Sequence, residues 1–182
     1  GQTAQALPYA RLVPAIALAA QELAASRIRS PDRLVVPLDG GGVLLCMPAT
    51  ASDIGVTKLV TVHPDNAQHD LPVIQGEVIV FDSATGRRLA LLDGPTVTAR
   101  RTAAVTLLGI QTLLPRPPES ARLIGTGVQA LAHAEALIEF FGVGHFRIAA
   151  RDVVKAELFC AVLRQRHPQV TAIALSSRFD EV

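Results

Sequence analysis

The sequence has no tryptophan and one tyrosine, and aromatic residues make up only 4% of its 182 positions. A core built from it must therefore be aliphatic, from Ala, Leu, Val and Ile. Two cysteines occur, Cys46 and Cys160, far apart and outside any metal-ligand spacing. That fits a reduced cytoplasmic protein. No apolar run is long enough to span a bilayer, and no basic start followed by a cleavage site marks a secretory leader. The formal net charge is +1, which gives no general attraction to nucleic acid or to an acidic membrane. The histidines (His63, His69, His133, His145 and His167) show no paired spacing on a helix face, so no metal is expected.

What is present is apolar and ordered: 49% hydrophobic against 18% charged residues supports a buried core and argues against disorder. Pro8 to Ala25 reads as a helix, with Leu12, Ile16, Ala19, Ala20 and Leu23 at helical spacing. Pro14, inside that pattern, is expected to kink it or delay its start. Arg33–Pro37 and Val43–Met47 flank Asp39-Gly-Gly-Gly42, a hairpin signal. Val56–His63 is a strand, followed by a polar loop from Pro64 to Asp70. Val73–Asp82 and Leu89–Leu92 flank a second turn at Ser83-Ala-Thr-Gly-Arg87. Pro95 opens a helix that runs to about Leu114 and ends at Pro115-Arg-Pro-Pro118. The expected domains are thus 1–114, α+β with an antiparallel sheet, and 119–182.

The second domain begins Leu123-Ile-Gly125-Thr126-Gly127-Val128-Gln129-Ala130. An apolar run from Ser120 turns through two glycines into a helix ending near Phe141. Strand, tight turn and helix in that order aim backbone N–H groups and a helix dipole at one point, which suits a dinucleotide pyrophosphate. Gly125 makes the turn, Gly127 admits the phosphates, and Ala130 stands where a third glycine usually packs helix on strand. A strand (145–150), a helix (153–166) and a strand (170–175) follow, the alternation of a parallel α/β sheet of Rossmann type. Such a fold needs further strands, so an incomplete Rossmann domain is expected.

At the end of the second strand, NAD-binding folds place an acid for the ribose 2′-OH. Arg151 stands there instead and suits a 2′-phosphate, which favours NADP(H) over NAD(H). Asp152 follows at once, and a shift of one residue would reverse that reading.

Three segments together resemble the ornithine cyclodeaminase/mu-crystallin family. They are Arg33-Leu-Val-Val-Pro37 with Gly42-Val-Leu-Leu-Cys-Met-Pro48, then Thr57-Lys58-Leu-Val-Thr-Val62, then Leu92-Asp-Gly94 with Thr98-Ala-Arg-Arg101-Thr-Ala-Ala104. The glycine fingerprint follows at the expected distance. The resemblance implies a dimerising first domain, a nucleotide-binding second domain, and small α-amino or α-imino acid substrates with a nicotinamide cofactor. It covers only the first half to two thirds of a family member, and the family's catalytic aspartate would lie beyond Val182.

Arg33, Lys58 and Arg101 each have an ordinary reading as surface cations. Converging from three elements, they would form a carboxylate pocket, two guanidiniums bonding bidentately and the ammonium acting as a point charge. The resemblance assigns these same residues to the substrate carboxylate. It also implies that Thr98 and Arg101 touch the cofactor together with Gly125, Thr126, Gly127, Val128, Gln129, Ala130 and Arg151. Lys58 is the candidate catalytic group, able to donate or relay a proton if neighbouring cations lower its pKa. Arg100 is expected on the surface.

Members that deaminate ornithine carry an acid where this sequence has Leu45. A distal ammonium there would lose its charge partner, so a ring-closed imino acid fits better. The expected reaction is reduction of pyrroline-2-carboxylate or piperideine-2-carboxylate, by a homodimer formed through the first domain. Other family activities, or cofactor and ligand binding without turnover, are the alternatives.

Overall fold

The computed structural model describes residues 1–175. The chain divides into two compact units, one of Gly1–Pro8 with Ala15–Thr98, the other of Tyr9–Pro14 with the residues from Ala99 on.

The first unit opens with α1 (Gln2–Ala6), a short helix that no local pattern announced. Helix α2 (Tyr9–Ala24) follows Pro8, whose extended conformation and missing N–H suit a helix start. Pro14 does not delay the start of α2, and the two units divide immediately after it. Five strands follow: β1 (Leu34–Pro37), β2 (Val43–Thr50), β3 (Ile54–Val62), β4 (Ile74–Asp82) and β5 (Arg88–Asp93). Each pairs antiparallel with the next, so β3 is the central strand. The β1–β2 turn needs its glycines, since Gly40 and Gly41 both adopt φ near +70°. The expected loop after β3 is a 3-10 turn over Pro64–His69. Strands β3 and β4 approach so closely at Gly76 that a Cβ there would strike the Leu59 carbonyl oxygen. Gly76 also has φ +158°, which a side chain would strain.

Helix α3 (Gly94–Leu113) leaves β5 through Asp93, whose Oδ2 accepts the Thr96 N–H at 2.8 Å. Hydrogen bonds from the Thr96 side chain and backbone hold the Asp93 carboxyl below its ordinary 3.8.

In the second unit β6 (Ser120–Ile124), α4 (Val128–Phe141), β7 (His145–Ala149), α5 (Val153–Arg166) and β8 (Thr171–Leu175) alternate, and the strands pair in parallel in the order β6-β7-β8. Right-handed crossovers in one direction set α4 and α5 on the same side of this sheet. Phe146, Ile148 and Ala172 are buried, while Arg122, Ile124, Arg147 and Ile173 stand exposed. The core is aliphatic and rich in alanine, as expected: Ala103, Ala104, Ala134, Ala136 and Ala156 are fully buried beside Leu107, Ile148 and Leu163. The units part between Thr98 and Ala99, ahead of the proline run that the sequence suggested as a boundary. The reason is that Ala103, Ala104 and Leu107 of α3 are buried in the second unit's core.

Replacing Asp93 by Ala should cost about 1 kcal/mol of stability at neutral pH, the usual worth of a helix cap. Because the folded-state pKa is depressed, that contribution is present above the ordinary value and is lost as pH falls through the folded one. Urea denaturation of both proteins at neutral and acid pH checks the convergence. Gly76→Ala should destabilise by about 2 kcal/mol or more, read as a drop in urea midpoint at constant m.

Candidate functional site

The glycine turn is built by β6 and α4. Gly125 adopts φ +110° and its N–H donates to the Ala149 carbonyl at 2.8 Å, which ties the turn to the end of β7. Gly127 is the extended residue preceding α4, and no side chain caps that helix. The N–H groups of its first turn are therefore left for an anion. Nothing lies within 4 Å of where a Cβ on Gly127 would project, so a ligand can reach the backbone. These two features fit the phosphates of a dinucleotide. Thr126 and Ala130 are half-buried, and Val128 and Gln129 exposed. A hollow of about 400 Å³ borders the turn, with Thr126, Gly127 and Val128 on one side and Lys155 and Phe159 of α5 on the other. Lys155 was not singled out from the sequence; its place in the first turn of α5 is the only signal it offered.

Helix α5 is capped differently. Asp152 Oδ1 accepts the Val154 N–H at 3.0 Å, so this carboxylate is engaged in its own helix. Arg151 stands exposed between the end of β7 and that cap.

On the first unit's sheet, Lys58 is half-buried on the central strand, opposite Met47 of β2 and Val78 of β4. Arg33 directly precedes β1, where Leu34 pairs with Cys46. Arg33 lies just outside that paired register, and the bridge of Arg29 with Thr50 farther out follows a register shifted by one residue. Two strand spacings, roughly 10 Å, separate β1 from β3. Leu45 pairs with Val60 two positions along the same face, so the ground beside Lys58 is apolar. Val60 and Val78 are the buried hydrophobic residues of β3 and β4.

Helix α3 carries Thr98, half-buried, and Arg101, exposed. Arg100 is not the surface residue that the sequence suggested. It begins the stripe Arg100, Ala103, Ala104, Leu107, the i, i+3, i+4, i+7 spacing of a buried helix face. Its side chain is only 16% exposed, its guanidinium carbon lies 4.0 Å from the centre of the Tyr9 ring, and it pairs with Glu139 at 3.3 Å. The Glu139 carboxylate also accepts the Tyr9 N–H at 3.3 Å, at the first residue of α2. Burial raises the Tyr9 phenol above its ordinary 10.0, with the Arg100 charge opposing.

Farther along, the Thr106 hydroxyl meets His133 Nε2 at 3.0 Å, while His133 Nδ1 lies 2.6 Å from the Gln129 carbonyl. A carbonyl only accepts, so Nδ1 carries the hydrogen. Arg100 meets Glu139 near the end of α4 and Thr106 meets His133 nearer its start, so the two helices run in opposite senses. Arg101 is therefore level with the end of α4, about 16 Å along the axis from Val128. The structure does not bring Arg101 to the glycine turn. Among the described residues, no group of three or more His, Cys, Asp or Glu is placed to hold a metal ion, and no helix is long and apolar enough to cross a membrane.

The model of the ornithine cyclodeaminase/mu-crystallin family matches residues 4–182. The chain is 46% identical, over 94% of its length and 55% of the relative's, to a Burkholderia ambifaria protein named Delta(1)-pyrroline-2-carboxylate reductase 2. It is 36% identical to the mouse ketimine reductase mu-crystallin, over 75% of this chain and 45% of that one. Among solved structures, Thermococcus litoralis Delta(1)-pyrroline-2-carboxylate reductase in complex with NADH and L-proline superposes with a TM-score of 0.80 at 23% identity, covering 92% of this chain and 53% of that one. An archaeal alanine dehydrogenase dimer with bound NAD gives 0.79 at 25%, covering 96% and 54%. The chain thus spans about half the length of the relatives it matches.

The two glycines should separate on substitution. Gly125→Ala forces a side chain to φ +110° and should lower stability by about 1–3 kcal/mol. Gly127→Ala meets no atom and should cost at most about 1 kcal/mol. Thermal melts of the two variants side by side test this.

Proposed function

The chain belongs to the ornithine cyclodeaminase/mu-crystallin family, and from that premise we propose that its protein reduces cyclic imino acids with NADPH. The substrates are Δ1-pyrroline-2-carboxylate and Δ1-piperideine-2-carboxylate, and the products proline and pipecolate. The observation that carries this reading is the face of the first sheet, where Lys58 stands in a row with Met47 and Val78 beside Leu45 and Val60, with Arg33 at the head of β1 two strands away. Two cations suit a carboxylate, and the aliphatic ground suits a ring without a distal charge. An ornithine ammonium against Leu45 would be desolvated without a partner. The names of the relatives support the same class of reaction.

In this mechanism Arg33 and Arg101 grip the carboxylate through paired N–H donors and Lys58 adds a point charge. When bound, reduced nicotinamide supplies the hydride that C2 of the imine accepts. A protonated C=N bond is already electrophilic, so the residues mainly hold C2 in place and exclude other geometries. Lys58 Nζ also holds a proton close to the imine nitrogen. The glycine turn and the start of α4 bind the pyrophosphate, and Arg101 and Thr98 stand toward the reacting end of the cofactor. Arg151 meets the 2′-phosphate, a role favoured because Asp152 is engaged as the cap of α5. NADP(H) preference rests on that pair of residues, whereas the matched structures named above hold NADH or NAD.

A homodimer through the first unit belongs to the same proposal. Its edge strand β1 exposes Leu34, Val35 and Val36, an open apolar edge of the kind that pairs with another chain. Two cysteines without a disulfide agree with a cytoplasmic setting.

The test follows absorbance of NADPH and NADH in the intact protein with each imino acid, beside ornithine with NAD. Oxidation of NADPH by the imino acids and no ornithine consumption is expected. NADPH binding with no turnover of any of these would replace the reductase with a ligand-binding role. Arg151→Ala should raise the KM for NADPH by about tenfold or more and leave that for NADH unchanged, as expected for one lost charge-assisted contact. Lys58→Met should lower kcat/KM for the imino acid by about a hundredfold or more.

A further inference from the structure

We propose that Arg100 is a positioning residue, which fixes the roll and level of α3 against α4 so that Arg101 is presented to the substrate carboxylate. This rests on the reading above that Arg101 grips that carboxylate.

The face that α3 buries is made mostly of small side chains, Ala103 and Ala104, with Leu107 one turn on. Methyl groups of alanine interlock poorly, so apolar packing alone specifies weakly how such a helix is rotated or slid along its neighbour. Directional contacts supply what the stripe lacks. Arg100 lies over the Tyr9 ring and bonds Glu139, and six residues on Thr106 bonds His133. These two points, each joining α3 to α4, define both the rotation and the axial register of the pair. Glu139 is itself anchored, because its carboxylate accepts the N–H of Tyr9, a residue only 1% exposed. Successive helical residues project 100° apart, so an inward Arg100 turns Arg101 outward.

A role in stability alone would not require this residue. A methionine or leucine at position 100 would complete the apolar stripe without desolvating a charge. What a planar guanidinium adds is direction, through stacking on Tyr9 and charge-assisted bonds to Glu139.

The test measures steady-state kinetics, NADPH binding and melting temperature for the intact protein and for Arg100→Met, Arg100→Lys, Glu139→Gln, Arg101→Met and Leu107→Ala. Arg100→Met should raise the KM for Δ1-pyrroline-2-carboxylate about tenfold while kcat changes by less than about threefold and NADPH affinity holds, since only ground-state grip is misaligned. Arg100→Lys, which keeps the charge but not the planar stack, should recover part of that loss. Glu139→Gln weakens the same contact with Arg100 still present, and should shift KM in the same direction if Arg100→Met fails to fold. Leu107→Ala lies on the same buried face and should lower the melting temperature at least as far, with KM unchanged. An unchanged KM in both Arg100→Met and Glu139→Gln overturns the proposal. So does a KM rise in Leu107→Ala equal to that of Arg100→Met, which would mark a general effect of destabilisation. If Arg101→Met raises KM and Arg100→Met does not, only the positioning role falls. If the parent protein turns over no imino acid, or Arg101→Met leaves KM unchanged, the carboxylate reading falls and takes this inference with it.

Discussion

Two adjacent arginines on one helix cannot face the same way, and the 100° between Arg100 and Arg101 sends the first toward Tyr9 and Glu139 and leaves the second exposed. Once Arg100 is turned inward, over Tyr9 and against Glu139, its neighbour must look outward. The same carboxylate holds the start of α2, so three helices meet at one charged group. An inward arginine is tolerated because its charge is matched by Glu139 and its plane lies on an aromatic face, which lowers the desolvation cost that a lone cation would carry. In a chain with a single tyrosine, that residue is placed where a polar ring is needed.

The two helices of the parallel unit start in opposite chemical states. Helix α5 satisfies part of its N-terminus with Asp152, while α4 begins at a glycine with no capping side chain. Leaving backbone donors without a cap costs stability in the free chain. That cost is consistent with a site reserved for an anion, which would supply the missing acceptors and interact with the helix dipole. The open space around Gly127 likewise leaves the backbone of that turn accessible.

Composition and architecture are coupled through the core. With few aromatic residues, the interior is filled by alanine, leucine, valine and isoleucine, and the buried helix positions are largely alanine. Small residues let helices approach closely, but they leave register to polar contacts such as Thr106 with His133. The parallel sheet is covered on one face, and Ile124 and Ile173 stand 66% and 54% exposed on the other. Parallel sheets are ordinarily covered on both faces. On the antiparallel sheet the strand order follows the chain order, so register alone assembles Met47, Lys58 and Val78 into one row.

Much of this was legible in the residues themselves. The hairpin at Asp39–Gly42, the long helix from the Leu92-Asp-Gly region, the strand-turn-helix around Gly125 and the βαβ alternation all rest on local signals. Turn glycines, proline punctuation and hydrophobic period act within about ten residues of chain, so the sequence by itself determined the order of the strands and long helices, the fold class and the family. The stripe containing Arg100 was also legible in principle, since it has the same spacing as the alanines that follow it. Only tertiary structure decided the rest. It placed the division between units at Thr98 rather than at the prolines, committed Asp152 to its own helix, set Arg101 at the far end of α4 from the glycine turn, and gave Glu139 two partners. Each of these depends on which distant side chain stands within hydrogen-bond or ion-pair reach, and no local pattern encodes that distance.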